Sequence, residues 1–164
     1  MRRVLLLLSA LGMALAQQQT IRLEPAGPTK FDPGGEHDAT TAKDNLVGGK
    51  TVVRLTNISI PTLTFYPAPA NHNTGAAVIV FPGGGYRILA LDLEGSEICE
   101  WFNSIGVNAA LVKYRVPAAP GAARHEAPLI DARNALTLMR GHAADWHIDA
   151  NRVGVIGFSA GGEN

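Results

Sequence analysis

Apolar positions along the chain fall into blocks of two kinds. Ala76-Ala77-Val78-Ile79-Val80-Phe81 is a continuous apolar run closed by Pro82-Gly83-Gly84-Gly85-Tyr86, the pattern of a strand buried on both faces. Val107 to Tyr114 is a second such run, interrupted by Asn108 near its start and Lys113 near its end, and Val153 to Phe158 is a third. Between the first two, Ile98, Trp101, Phe102 and Ile105 recur at spacings of three and four. That period predicts a helix over Glu94 to Ile105 with those four residues on its inner face, and Gly106 as its stop. Between the second and third, Leu129, Ala132, Leu136, Met139 and Ala143 predict a helix from Pro128 to about Trp146, after a Pro-Ala-Gly loop at 116–123. Upstream, Thr51 to Tyr66 mixes β-branched and aromatic residues with partial alternation and predicts two strands, 51–57 and 61–66, as an antiparallel opening. Residues 17–50 are rich in Gly, Pro, Thr and charge and predict an irregular lead-in, with turns at Phe31-Asp32-Pro33-Gly34-Gly35 and Val47-Gly48-Gly49.

Strand, helix, strand, helix, strand in that order implies right-handed crossovers and a mostly parallel sheet, an α/β fold. Composition agrees: of 164 residues 46% are hydrophobic and 17% charged, a globular mixture in a chain of one-domain length. Lys plus Arg and Asp plus Glu each number 14, so no basic excess points to nucleic acid. Nothing in the sequence sets an oligomeric state.

The first residues carry a different message. Arg2 and Arg3 precede an apolar run of 13 residues, Val4 to Ala16, that ends in Ala14-Leu15-Ala16. A charged start, an apolar middle and a small-x-small end predict a signal peptide over 1–16, cleaved before Gln17, and so a secreted or periplasmic protein with no membrane attachment after cleavage. The run falls short of the roughly 20 residues that span a bilayer. Cys99 is the one cysteine, so no disulfide forms within the chain, and its setting beside Ile98 and Trp101 predicts a buried apolar role.

Chemistry concentrates after the first and third apolar runs. Gly157-Phe158-Ser159-Ala160-Gly161 is a G-x-S-x-G directly after a predicted strand, the setting of a nucleophile elbow. There the serine occupies a sharp, strained bend, and glycines two places before and after remove side chains that would collide. Acyl transfer also needs donors aimed at the developing oxyanion, and a backbone without side chains presents them well. Gly84, Gly85 and the N–H of Ala160 are the candidate oxyanion-hole donors, with Ser159 the candidate nucleophile. A nucleotide loop is disfavoured because the glycines lack a following Lys and G-x-G-x-x-G spacing. No metal-ligand cluster and no cofactor motif stands out. Tyr86 reads as packing or as a wall of an acyl pocket. Asp92 and Glu94 read as a solvated helix start or as contacts to a substrate hydroxyl. Asp131 reads as pinning the helix start or pairing with Arg133, a surface role rather than a catalytic one.

The motifs Phe81-Pro82-Gly83-Gly84-Gly85-Tyr86, Leu91-Asp92-Leu93-Glu94-Gly95, Lys113-Tyr114-Arg115, Asp131-Ala132-Arg133-Asn134-Ala135-Leu136 and Asp149 to Gly162 occur in that order. Together they resemble the secreted α/β-hydrolase esterases of the acetylxylan-esterase and feruloyl-esterase-like group, over about residues 60–162. The resemblance implies an α/β-hydrolase sheet, Ser159 as nucleophile, Gly84 or Gly85 with Ala160 as the oxyanion hole, no cofactor, and small esters or acetylated plant polysaccharide as substrates. It also implies a serine, acid, histidine order along the chain. Only Ala160, Gly161, Gly162, Glu163 and Asn164 follow Ser159, and the group usually has His where this chain has Glu163. The expectation is therefore a fold truncated after the elbow (the domain portion being 51–164), with little activity of its own and marginal stability. His125 is the upstream histidine expected nearest the carboxyl edge of the sheet. Two alternatives share the elbow: a serine peptidase of the prolyl-oligopeptidase kind, and a non-catalytic truncated hydrolase.

Overall fold

The computed structural model describes residues 17–24, 32–41 and 46–164, so the expected signal peptide and the turn residue Phe31 lie outside it. Its main sheet has five strands. In chain order they are β1 (Gln19–Arg22), β4 (Thr62–Tyr66), β5 (Ala77–Phe81), β7 (Asn108–Lys113) and β8 (Val153–Gly157). Their spatial order is β1-β4-β7-β5-β8. The three apolar runs are its parallel half: β5 pairs in parallel with β7 on one side and β8 on the other. β1 and β4 extend it antiparallel.

The first two apolar runs bury both faces because alternate side chains point opposite ways, whereas the third, β8, is half-buried or exposed along its whole length, because it lies at the edge of the sheet among the described strands. Ile79 and Phe81 of β5 join Ala110 and Val112 of β7 in one cluster, with Ala135, Met139 and Trp146. Val78 and Val80 join Ala109, Leu111 and Cys99 in a second cluster on the other face. Helix α2 (Glu126–Gly141) supplies Ala135 and Met139 to the first cluster, and α1 (Glu97–Ser104) supplies Cys99 to the second. Beyond α2, the Trp146 ring stacks on Phe65 of β4 at 4.2 Å between centroids, nearly parallel at 8°. Trp146 is 8% exposed and Trp101 57%.

A second, smaller sheet of three short strands has the order β2 (His37–Asp38), β3 (Arg54–Thr56), β6 (Leu89–Ala90). Its register sets Leu55 opposite Leu89 and Arg54 opposite Ala90. It anchors the far end of the loop that follows β5, and the Asp92 carboxylate ties in beside it by accepting from the Val53 N–H at 2.9 Å.

Several sequence expectations are corrected here. The two strands of Thr51 to Tyr66 do not form one antiparallel unit, since Arg54–Thr56 and Thr62–Tyr66 belong to different sheets. The lead-in is not wholly irregular: Gln19–Arg22 pairs with β4, with Ile21 opposite Leu63. Its polar sequence hides the strand because an edge position leaves most of it exposed. In α1 the inner face is Ile98, Cys99 and Phe102, whereas Trp101 and Ile105 point outward at 57% and 51% exposure. The helical period there carries two apolar stripes, one of them unpartnered.

Asp131 is no surface residue. It is fully buried one turn into α2, and its carboxylate accepts from the Arg115 backbone N–H at 2.9 Å, from Arg115 Nε at 3.0 Å and from Nη2 at 2.7 Å. Burial pushes its carboxyl upward and the Arg115 hydrogen bonds oppose that shift. The pair fastens α2 to the segment just past β7.

Candidate active site

At the carboxyl edge of the sheet, β8 runs into a turn of 3-10 helix, Ser159–Glu163. Phe158 is still extended, at φ −109° and ψ 128°, while Ser159 takes φ +48°, a left-handed conformation that residues with a side chain seldom adopt. The glycines around it explain why the chain can bend so sharply. A Cβ on Gly157 would lie 2.2 Å from the Gly161 carbonyl oxygen, and one on Gly161 would lie 2.2 Å from the Phe81 carbonyl oxygen. Both distances are impossible for a real side chain, so these two positions are closed to anything but glycine. The Phe158 N–H donates to the Phe81 carbonyl at 3.0 Å, which holds the bend against the end of β5. Ser159 is exposed while Ala160 and Gly161 beneath it are buried.

The loop after β5 lies against this bend. A Cβ on Gly83 would sit 2.6 Å from the Phe158 carbonyl oxygen and 3.1 Å from the Ser159 Cβ, so loop and elbow touch. The loop's carbonyls are tied back: Gly83 O accepts from the Ala90 N–H at 3.0 Å, and Gly84 O from the Arg87 and Ile88 N–H groups at 3.1 and 3.2 Å. In a trans peptide the N–H points opposite to the C=O. Tying the Gly83 and Gly84 carbonyls therefore turns the N–H groups of Gly84 and Gly85 the other way. Neither N–H donates to an acceptor among the described residues, and nor does that of Ala160, in the first turn of its helix where amides lack internal partners. Gly84 takes φ +143° and Gly85 φ +61°.

Neighbouring polar groups are placed differently from the sequence expectations. Asp92 and Glu94 are half-buried and tied to backbone rather than standing free at a helix start. They belong to a π turn, Asp92–Ser96, ahead of α1, and Asp92 accepts from backbone N–H groups of Val53 and Leu93. Glu94 Oε2 accepts from the Gly83 N–H at 2.8 Å, and Tyr114 donates its hydroxyl to the Pro82 carbonyl at 2.6 Å. Lys113-Tyr114-Arg115 is one of the motifs of the resemblance, but nothing in it gave Tyr114 a part at this edge, and by its pattern it reads as the last apolar position of a strand. Tyr86 is buried at φ +60° with the Arg124 guanidinium 5.9 Å from its ring centre. Burial first, and the Glu163 carboxylate second, push its phenol upward, so Glu163 faces Tyr86.

The five histidines lie elsewhere. His37 bonds to the Gly35 carbonyl, His72 to Asn71 and Asn103, and His142 stacks on Trp146. His147 sits in a tight bend at φ +53°, and His125 is exposed at the start of α2. Among the described residues none bonds to Ser159. No group of three or more His, Cys, Asp or Glu side chains among them is placed to hold a metal ion. Cys99 is fully buried, and burial pushes its thiol up to about 12, which keeps it protonated and inert.

Known proteins resemble this chain in fold and in sequence. An acetyl ester-xyloside bifunctional hydrolase from Caldicellulosiruptor lactoaceticus superposes with a TM-score of 0.57 at 33% identity, over 86% of this chain and 42% of that one. MGS-M1, an α/β hydrolase enzyme from a Medee basin deep-sea metagenome library, gives 0.54 at 30% identity, over 80% of this chain and 49% of that one. Among curated proteins, an acetylxylan esterase of Xylanibacter ruminicola is 36% identical over 89 residues, which are 54% of this chain and 18% of that protein. Endo-1,4-beta-xylanase B of Butyrivibrio fibrisolvens is 32% identical over 84 residues, 51% of this chain and 13% of that protein. The chain thus spans less than a fifth of either curated relative. The BD-FAE family model matches residues 63–163, from β4 through the serine bend. With that match and this sheet, the chain belongs to the BD-FAE family and has the α/β-hydrolase fold.

Proposed function

We propose that this chain carries the nucleophile and oxyanion hole of a serine carboxylic ester hydrolase. One observation carries the reading: an exposed Ser159 at φ +48°, in contact with a glycine loop whose Gly84 and Gly85 N–H groups are unspent. In the proposed reaction the Ser159 oxygen attacks the ester carbonyl carbon. The carbonyl oxygen takes up negative charge and is received by the N–H groups of Gly84 or Gly85 and Ala160. The serine hydroxyl gives up its proton to solvent as it attacks, the tetrahedral species collapses with loss of the alcohol, which takes up a proton from solvent, and water later releases the acid and restores the hydroxyl. Acetylated carbohydrate and small esters are the proposed substrates, in keeping with the acetylxylan esterase and the acetyl ester-xyloside hydrolase among its relatives.

An unassisted serine hydroxyl is a weak nucleophile, and no imidazole among the described residues reaches Ser159. In one serine protease, loss of the base lowered turnover by about 10⁶-fold. Turnover by this chain is accordingly expected to be very slow, and the test uses a reagent that records a single event. A fluorophosphonate is incubated with the purified chain and the adduct is located by mass spectrometry. Labelling at Ser159 that disappears in Ser159→Ala supports the reading. Equal labelling of both proteins at another residue, or no adduct at high reagent, overturns it and favours a non-catalytic member of the fold.

The proposed location is outside the inner membrane, supported by the Arg2-Arg3 and Val4 to Ala16 pattern. Amino-terminal sequencing of protein recovered from an export-competent host should find Gln17 first.

A further inference from the structure

The Pro82–Gly83 peptide unit is gripped at both ends by side chains from two different elements. Its C=O accepts from the hydroxyl of Tyr114, a fully buried residue one step past β7, at 2.6 Å. Its N–H donates to Glu94 Oε2, from the π turn before α1, at 2.8 Å. Those two contacts fix the orientation of one peptide plane, the last before the two unspent donors. The grip also lies at the reacting edge. A Cβ on Gly83 would be 2.7 Å from Glu94 Oε2 and 3.1 Å from the Ser159 Cβ, so carboxylate, glycine loop and serine bend converge on one glycine.

We propose that Glu94 and Tyr114 are positioning residues for the oxyanion hole, fixing the Pro82–Gly83 plane and through it the aim of the Gly84 and Gly85 N–H groups. Neither side chain touches the substrate. The physical need is plain. The Gly83–Gly85 backbone is the loosest kind the chain can make, with two of its three glycines at positive φ. Donors on such a segment are useful only if something rigid sets their direction. The tied carbonyls of Gly83 and Gly84 hold the loop from the small-sheet side. Glu94 holds it from the π turn before α1 and Tyr114 from the end of β7. A carboxylate suits the first grip because a charged acceptor makes a shorter and stronger hydrogen bond than a neutral one. Placed near a developing anion, the same charge opposes it through space. The role is therefore geometric, and the proposal separates shape from charge.

This inference rests on the reading of Ser159 as nucleophile, and one experiment distinguishes the failure of either. The rate of Ser159 phosphonylation by a fluorophosphonate is measured for the wild-type chain, Glu94→Ala, Glu94→Gln and Tyr114→Phe, with thermal midpoints recorded alongside. Glu94→Ala removes the acceptor and is expected to slow labelling by about tenfold to 100-fold, the scale set by misplaced groups at a reacting centre. Glu94→Gln retains an amide oxygen in the same place and is expected to restore the rate to within about threefold of wild type, a rescue that loss of charge alone would not give. Tyr114→Phe releases the other end of the plane and is expected to slow labelling without affecting the Gly83 contact. Should Glu94→Ala prove unfolded, Tyr114→Phe and Glu94→Gln decide between them. Wild-type rates in Glu94→Ala and Tyr114→Phe, or Glu94→Gln as slow as Glu94→Ala, overturn the positioning role alone. A wild-type chain that takes no label overturns the nucleophile reading, and the positioning role with it.

Discussion

Gly84 and Gly85 are adjacent in the loop, yet a methyl group would meet different obstacles at each. At Gly85 a Cβ finds nothing within 4 Å, and only the backbone angle of +61° resists it. The Gly85→Ala substitution should cost about 1–2 kcal/mol, the ordinary penalty for a left-handed residue. At Gly84 the angle is +143° and the Cβ would lie 2.0 Å from the Ile88 carbonyl oxygen. That oxygen is backbone and cannot swing aside, so Gly84→Ala should cost about 3 kcal/mol or more, strain and overlap combined. Urea unfolding of the two variants would measure the difference; equal losses would mean that the loop is slack where the structure has it tight. Ser159 bears a similar strain, at +48°, and the overdetermined packing of Gly157 and Gly161 against the end of β5 is what holds it. Here the sequence was most legible. G-x-S-x-G after a continuous apolar run is a local signal, because strain forces glycine into fixed places. Glu94 was less legible: an acid at a helix start reads equally as dipole complement, and only the folded chain brings it against Gly83, 11 residues earlier in sequence.

Among the elements, the first two apolar runs followed from their pattern because each lies in a single buried environment, and α2 from its helical period, although it ends at Gly141, short of the expected Trp146. β5 is buried at every position and β7 at all but the last. The elements that escaped detection lie at edges. Gln19–Arg22 has no hydrophobic alternation to show, since its pairing with β4 leaves three of four residues exposed. Arg54–Thr56 and Thr62–Tyr66 are separated by a few residues and read as partners, but the bridge between Ile58 and Val116 turns the chain from one sheet into the other. Asp131 was misassigned because its partner, Arg115, is 16 residues away and belongs to no local pattern. β8 forms the other edge of the main sheet and carries the main liability at this scale. Its outer backbone faces no neighbour among the described strands, and Val155 is 60% exposed. Open edges with exposed apolar side chains pair with other copies, and a lysine there blocks it. Val155→Lys should therefore reduce concentration-dependent association in sedimentation while changing stability by less than about 0.5 kcal/mol, as for other exposed sites. Unchanged association would shift suspicion to the outward Trp101 and Ile105 of α1.

Taken whole, the molecule is a two-faced sheet with unequal covers. On one face α2 and Trp146 close over a large cluster that reaches from Leu23 to Ala160, while on the other the cluster has five buried residues, one of them the Cys99 of α1. The two tryptophans divide along that asymmetry. Trp146 is sandwiched between the Phe65 ring at 4.2 Å and the His142 ring at 4.8 Å, and Trp101 stands in solvent on the lesser cover. Native emission should thus be a sum of a blue, shielded component and a red, open one, and acrylamide should quench only the second. A Trp101→Phe variant would isolate the shielded indole, making its emission an optical gauge of whether the larger cover is seated on β4. Progressive addition of denaturant would then reveal, from colour alone, when that seat lets go, to be set against the denaturant level at which Ser159 stops taking a fluorophosphonate.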